Sequence, residues 1–248
     1  MGMPGATKPE LRLLRSADGA AQAEQLAAAI AAELAAALTR RASASLVVSG
    51  GRTPQAMFAH LARHALDWQR VQVTLADERW VAPTDPASNE ALVRNALLRE
   101  RAACAQFIPI KNDAATPADG ANAAWRAIKA MPQPFDVIVL GMGDDGHTAS
   151  LFPGGAGLAA ALDADAPPGC VAMQPLAAPH ARLSLNLAAL LRSRRICIQI
   201  SGAGKWAVYQ QALADGPVAE MPVRAVLRQG VVPVDVYWCP DPSPAKTS

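Results

Sequence analysis

The chain has 248 residues, 51% hydrophobic and 18% charged, with a formal net charge of +2. A sizeable core is available and the length is ordinary for an α/β domain, so residues 1–248 are read as one domain. The small net charge, with no basic run interleaved with aromatics, excludes a nucleic-acid surface, and the opening MGMPGATKPE has no apolar stretch of the signal-peptide kind.

Leu11–Leu14 predicts a first strand, followed by the alanine-rich stretch Gly19–Leu38. Gln22, Glu24, Gln25 and Glu33 interrupt that stretch, so it is an amphipathic helix and not a membrane span. Leu46-Val47-Val48 is a short buried strand running into Ser49-Gly50-Gly51-Arg52-Thr53, with a helix expected over Pro54–Ala65. Gly50 and Gly51 let several N–H groups point inward, Thr53 suits an N-cap and Pro54 a first helical position. The helix start would offer unpaired N–H groups to a phosphate, and Arg52 adds a positive charge. An ordinary turn capped by threonine uses the same residues. His60 and His64 stand four apart on that helix, but Leu61 occupies the glutamate position of a zinc-protease motif. They are read as surface residues, and no metal site is predicted.

Val71–Leu75 is the next strand. Asp77-Glu78-Arg79 follows it, either as a solvated turn or as charge set at the sheet edge. Asp85, Ser88 and Asn89 continue a polar, substrate-facing connection to a helix over Glu90–Leu98. Phe107–Ile110 reads as strand, Asp119–Ala130 as helix and Val137–Leu140 as a fully buried strand.

That last strand opens the most informative stretch, FDVIVLGMGDDGHTASLFP over 135–153. Gly141, Gly143 and Gly146 allow a sharp turn that holds Asp144, Asp145 and His147. The glycine spacing matches the dinucleotide fingerprint, but Asp144 and Asp145 put negative charge where a pyrophosphate would sit. Pro153-Gly154-Gly155 also stops the expected helix, so no nucleotide cofactor is predicted. His147 is the candidate general base, since an imidazole exchanges protons near neutral pH, and Asp145 is placed to orient it.

The pattern loosens over 156–168. Strand signals return at Val171–Met173, Leu183–Leu187, Ile196–Ile200 and Val234–Trp238, with a helix over Lys205–Leu213 and a frayed tail over 240–248. Apolar strands alternating with helices predict a doubly wound, mainly parallel Rossmann-like sheet with helices on both faces. In such a sheet the loops at 49–53, 77–79, 141–147 and 201–205 share the carboxyl edge, where ligands bind. Lys205, after Gly202-Ala203-Gly204, supplies a further cation there. Arg182 is either a third anion contact or a surface arginine, and His180 is placed at the border of the site. Cys104, Cys170, Cys197 and Cys239 have no metal or redox spacing and are read as reduced core residues.

Taken in order, SGGRTP (49–54), DERWV (77–81) with SN (88–89), GMGDDGHTASLFPG (141–154), RLS (182–184) and SGAGK (201–205) resemble the 6-phosphogluconolactonases of the glucosamine/galactosamine-6-phosphate isomerase superfamily. The resemblance implies hydrolysis of 6-phospho-D-glucono-1,5-lactone by a cytoplasmic enzyme without cofactor or metal. It implies a small sugar-phosphate lactone as the partner, no nucleic acid or membrane, and a monomer or weak homodimer. Carried over by position, His147 matches the general base, Arg79 the arginine near the lactone, and Arg182 and Lys205 the phosphate ligands. The Gly50–Thr53 turn lies beside those ligands, with Arg52 in place of the commoner serine. Asp77 matches a carboxylate that the related deaminases use as a base, whereas Phe152 stands where they carry a glutamate. The alternatives are a sugar-phosphate isomerase or deaminase, against which Phe152 weighs, and a non-catalytic sugar-phosphate sensor. The segment before Leu11 is too short for the DNA-binding helices such a sensor would need.

Overall fold

The structure, a computed structural model, describes residues 10–175 and 179–241, so the opening residues 1–9 and all but the first two residues of the tail expected to fray over 240–248 lie outside the described residues. Along the chain come β1 (Leu11–Arg15), α1 (Gly19–Arg40), β2 (Ala44–Val48), α2 (Gln55–Leu61), β3 (Val71–Leu75) and β4 (Asp77–Arg79). Next are α3 (Asn89–Ala96), β5 (Gln106–Phe107), α4 (Pro117–Lys129), β6 (Val137–Leu140), α5 (Leu158–Ala161) and β7 (Cys170–Met173). The chain continues through β8 (Arg182–Leu185), α6 (Leu187–Leu190), β9 (Ile196–Ser201), α7 (Gly202–Leu213), α8 (Val223–Arg228) and β10 (Val234–Cys239).

Seven strands form one parallel sheet in the order β1-β10-β9-β6-β2-β3-β5. Its central members β2 and β6 are buried along their whole length, which is why they read as continuous apolar runs. α1 begins where the Asp18 side chain accepts from the Ala21 N–H, and it packs Leu26, Ile30 and Leu34 inward at helical spacing. The expected mainly parallel α/β sheet is the one observed.

A second, antiparallel sheet of order β4-β8-β7 was not foreseen. The segments Asp77–Arg79, Val171–Met173 and Leu183–Leu185 belong to it and not to the main sheet, and Leu187 already starts α6. Antiparallel pairing needs no crossover helix, so these short strands add beside the main sheet without breaking the β–α alternation.

Local corrections follow from hydrogen bonds. α2 stops at Leu61 because Arg63 and His64 donate to the carbonyls of His60 and Leu61, three residues back, which tightens the last turn. Pro54, not Thr53, precedes that helix, and no side chain caps it. α7 starts at Gly202, where the Asp241 carboxylate accepts from the Ala203 N–H. Cys197 and Cys239 lie in the core as expected, whereas Cys170 is half-buried and Cys104 is exposed.

Candidate active site

β9, β6, β2 and β3 are consecutive in the parallel sheet, so the chain segments leaving their carboxyl ends converge on one edge. Between them lies a cleft of about 470 Å³. Gly50, Gly51, Arg52 and Thr53 line it after β2, and His147 lines it after β6. Asp77 and Arg79 of β4, Arg182 of β8 and Lys205 of α7 complete the expected set. Asp145 stands outside the lining and reaches the cleft only through His147.

The histidine turn is closed by the Gly143 N–H donating to the His147 carbonyl at 2.8 Å. Asp145 Oδ1 accepts from the His147 backbone N–H at 3.0 Å and lies 2.6 Å from its Nδ1. With Nδ1 engaged by the carboxylate, Nε2 is the nitrogen left with a free lone pair. Residue 143 must be glycine, because a Cβ there would lie 2.0 Å from His147 Nδ1 and 2.5 Å from Asp145 Oδ1. Burial alone would raise the Asp145 pKa, but the hydrogen bonds and charge of His147 outweigh it and hold the carboxyl below its ordinary value. Phe152 packs on the other side of the imidazole, with ring centroids 4.3 Å apart and a 40° tilt.

In the same cleft, Arg79 and Arg182 are register partners in the β4–β8 pair. Arg79 donates from Nη1 to the Ala87 carbonyl at 2.7 Å, while its Nε is buried without a partner. Arg182 is buried rather than a surface arginine, and its Nε donates to the His180 carbonyl at 3.2 Å. His180 therefore touches this arginine through its backbone and does not line the cleft. Burial and the neighbouring Arg79 charge lower the Arg182 pKa, partly opposed by Asp77 and Glu78. Lys205 Nζ pairs with Asp144 Oδ1 at 2.7 Å, and that carboxylate is largely exposed.

The acids of β4 point to opposite sides, as strand alternation requires. Asp77 faces the cleft, and its Oδ2 accepts from Ser150 Oγ at 2.6 Å. Glu78 turns inward and accepts from the backbone N–H groups of Arg79, Asn89 and Glu90 and from the Ser88 hydroxyl. It is a buried helix cap, neither a solvated turn residue nor part of the cleft. Sequence reasoning also missed Gln199 in the cleft wall, where it donates to Gln22 Oε1 at 2.9 Å. A glutamine inside the apolar β9 run was the available signal. The cleft thus joins one carboxylate-oriented imidazole to several cations, a set suited to holding an anionic ligand while moving a proton near it.

Among the described residues no cluster of His, Cys, Asp and Glu is arranged to hold a metal, and no helix is long and apolar enough to cross a membrane. The family model described as glucosamine-6-phosphate isomerases/6-phosphogluconolactonase matches residues 17–238. A 6-phosphogluconolactonase of Rhizobium meliloti (strain 1021) is 46% identical over 220 residues, covering 89% of this chain and 95% of the relative. One from Pseudomonas aeruginosa is 45% identical over 221 residues, covering 89% and 92%. The crystal structure of a 6-phosphogluconolactonase from Shewanella baltica OS155 superposes with a TM-score of 0.89 at 47% identity, covering 93% of this chain and 98% of that one. A monomeric glucosamine-6-phosphate deaminase, 16% identical with a TM-score of 0.74 and covering 91% of this chain and 97% of its own, shares the fold alone. With the match covering every residue that lines the cleft, the chain belongs to the glucosamine-6-phosphate isomerase/6-phosphogluconolactonase family.

Proposed function

We propose that this chain hydrolyses 6-phospho-D-glucono-1,5-lactone to 6-phospho-D-gluconate, the second step of the oxidative pentose phosphate pathway, without metal or organic cofactor. His147 Nε2 takes a proton from water as the water oxygen attacks C1. Arg79 stabilises the oxyanion that forms on the carbonyl oxygen. Collapse of the tetrahedral intermediate breaks the bond from C1 to the ring oxygen, which leaves with the proton returned by His147. Asp145 keeps Nδ1 protonated and steadies the imidazolium. Arg182 and Lys205, with the Gly50–Thr53 turn beside them, hold the phosphate and fix the ring in place.

The observation that carries this reading is that His147, backed by Asp145 at 2.6 Å, lines the same cleft as the register partners Arg79 and Arg182. The names of the relatives and of the Shewanella structure support the same substrate. The related deaminases carry a glutamate five residues after the equivalent histidine; this chain has Phe152 there, packed on the imidazole, which weighs against the deaminase reading.

The test generates the lactone in situ with glucose-6-phosphate dehydrogenase and follows its disappearance with and without the protein. Decay well above the spontaneous rate is expected. A rate equal to that of buffer overturns the proposal, and ammonia released from glucosamine 6-phosphate would favour the rival.

A further inference from the structure

Asn89 is a polar residue almost fully withdrawn from solvent at the first position of α3, yet it borders the cleft. Its backbone is pinned from behind, because its N–H donates to Glu78 Oε1 at 2.7 Å. Its side chain is oriented from in front, because Nδ2 donates to the Asp77 carbonyl at 2.8 Å. A carbonyl can only accept, so the amide cannot be flipped, and Oδ1 must face the other way. There it meets Gly50. A Cβ on Gly50 would lie 1.8 Å from Asn89 Oδ1 and 2.3 Å from its Cγ. Oδ1 has no hydrogen-bond partner and is buried, an unfavourable condition that calls for an explanation.

We infer that Asn89 is a positioning residue, a wedge that sets the separation between the Gly50–Thr53 turn and the strand carrying Asp77 and Arg79. One end of its amide holds the Asp77 carbonyl, and the other fills the space a side chain at residue 50 would need. The turn on one side of the wedge and the arginines on the other line the same cleft. The wedge therefore fixes how closely the cleft grips the phosphoryl end of its ligand. Asparagine suits this position because aspartate lacks the donor for Asp77 and adds negative charge, while alanine leaves the gap open. The inference rests on the proposed sugar-phosphate reading of the cleft.

The test is a double-mutant cycle on the intact chain, reading 6-phosphogluconate affinity by calorimetry together with thermal melting. Gly50→Ala should weaken binding by about tenfold or more, because the methyl displaces the turn. Asn89→Gly should also weaken it. The double variant should bind more tightly than Gly50→Ala alone, since removing the amide makes room for the methyl. Should Gly50→Ala fail to fold, Asn89→Ala and Asn89→Asp decide the matter. Both should raise KM more than they lower kcat, with the aspartate worse. A double variant weakened by the product of the single effects, or an Asn89→Ala enzyme with wild-type KM, overturns the wedge alone. Absence of 6-phosphogluconate binding in the wild type would overturn the cleft reading along with it.

Discussion

Arg79 and Arg182 stand directly opposite one another across β4 and β8, and both line the cleft. Like charges in register are unfavourable between antiparallel strands, and burial of Arg182 sharpens the conflict. A bound dianion would relieve it. Arg182→Ala should therefore raise KM by about 10–100-fold, the range of a charge-assisted hydrogen bond, with a smaller change in kcat. Arg79→Ala should instead lower kcat by about 10²–10³-fold if it serves the oxyanion. Steady-state kinetics of the pair separate the roles, and a pure kcat loss in the Arg182 variant would contradict its assignment.

Lys205 is held by an exposed carboxylate, Asp144. Such surface pairs are worth about 0–1 kcal/mol, so an incoming phosphate can displace the acid. Lys205→Ala should raise KM, and the gap between variant and wild type should shrink in high salt, where screening weakens the contact. Measuring KM across an ionic-strength series checks this.

Glu78 takes hydrogen bonds from three backbone N–H groups and one hydroxyl while almost fully buried. Burial pushes its pKa up, and those hydrogen bonds oppose the rise. Glu78→Ala would leave several buried donors without a partner, each costing about 1–3 kcal/mol. A loss of about 3–5 kcal/mol in urea unfolding is expected, and a loss within 1 kcal/mol would show that water replaces the carboxylate.

Asp145 has a folded pKa below its ordinary value. A depressed carboxylate contributes stability above its unfolded pKa, near pH 4, and loses it as pH falls through the lower folded value. The stability difference between wild type and Asp145→Asn should therefore shrink as pH falls below about pH 4. Denaturation midpoints taken from pH 6 to pH 3 test the sign; a difference that grows on acidification would contradict it.

The parallel core was legible because its strands are buried on both faces and hence apolar without a break, as in Val137–Leu140. The cleft was legible for a related reason, since polar clusters at 49–53, 77–79, 141–147 and 201–205 interrupt those runs on one side only. The antiparallel sheet was hidden because β4 is three residues of charge, and no pattern in Asp77-Glu78-Arg79 distinguishes a strand from a turn. Which of its acids faces the cleft depends on pairing with β8, which sequence spacing does not encode. The Asn89 wedge was hidden too, since Asn89 approaches Gly50 only in three dimensions.

The most direct measurement of the central claim is single-turnover hydrolysis of in-situ-generated lactone by His147→Ala, paired with 6-phosphogluconate affinity. A general base is typically worth about 10²–10⁴-fold, so the single-turnover rate constant should fall by that order while product affinity stays within about threefold of wild type. A variant that hydrolyses the lactone at the wild-type rate would contradict the account.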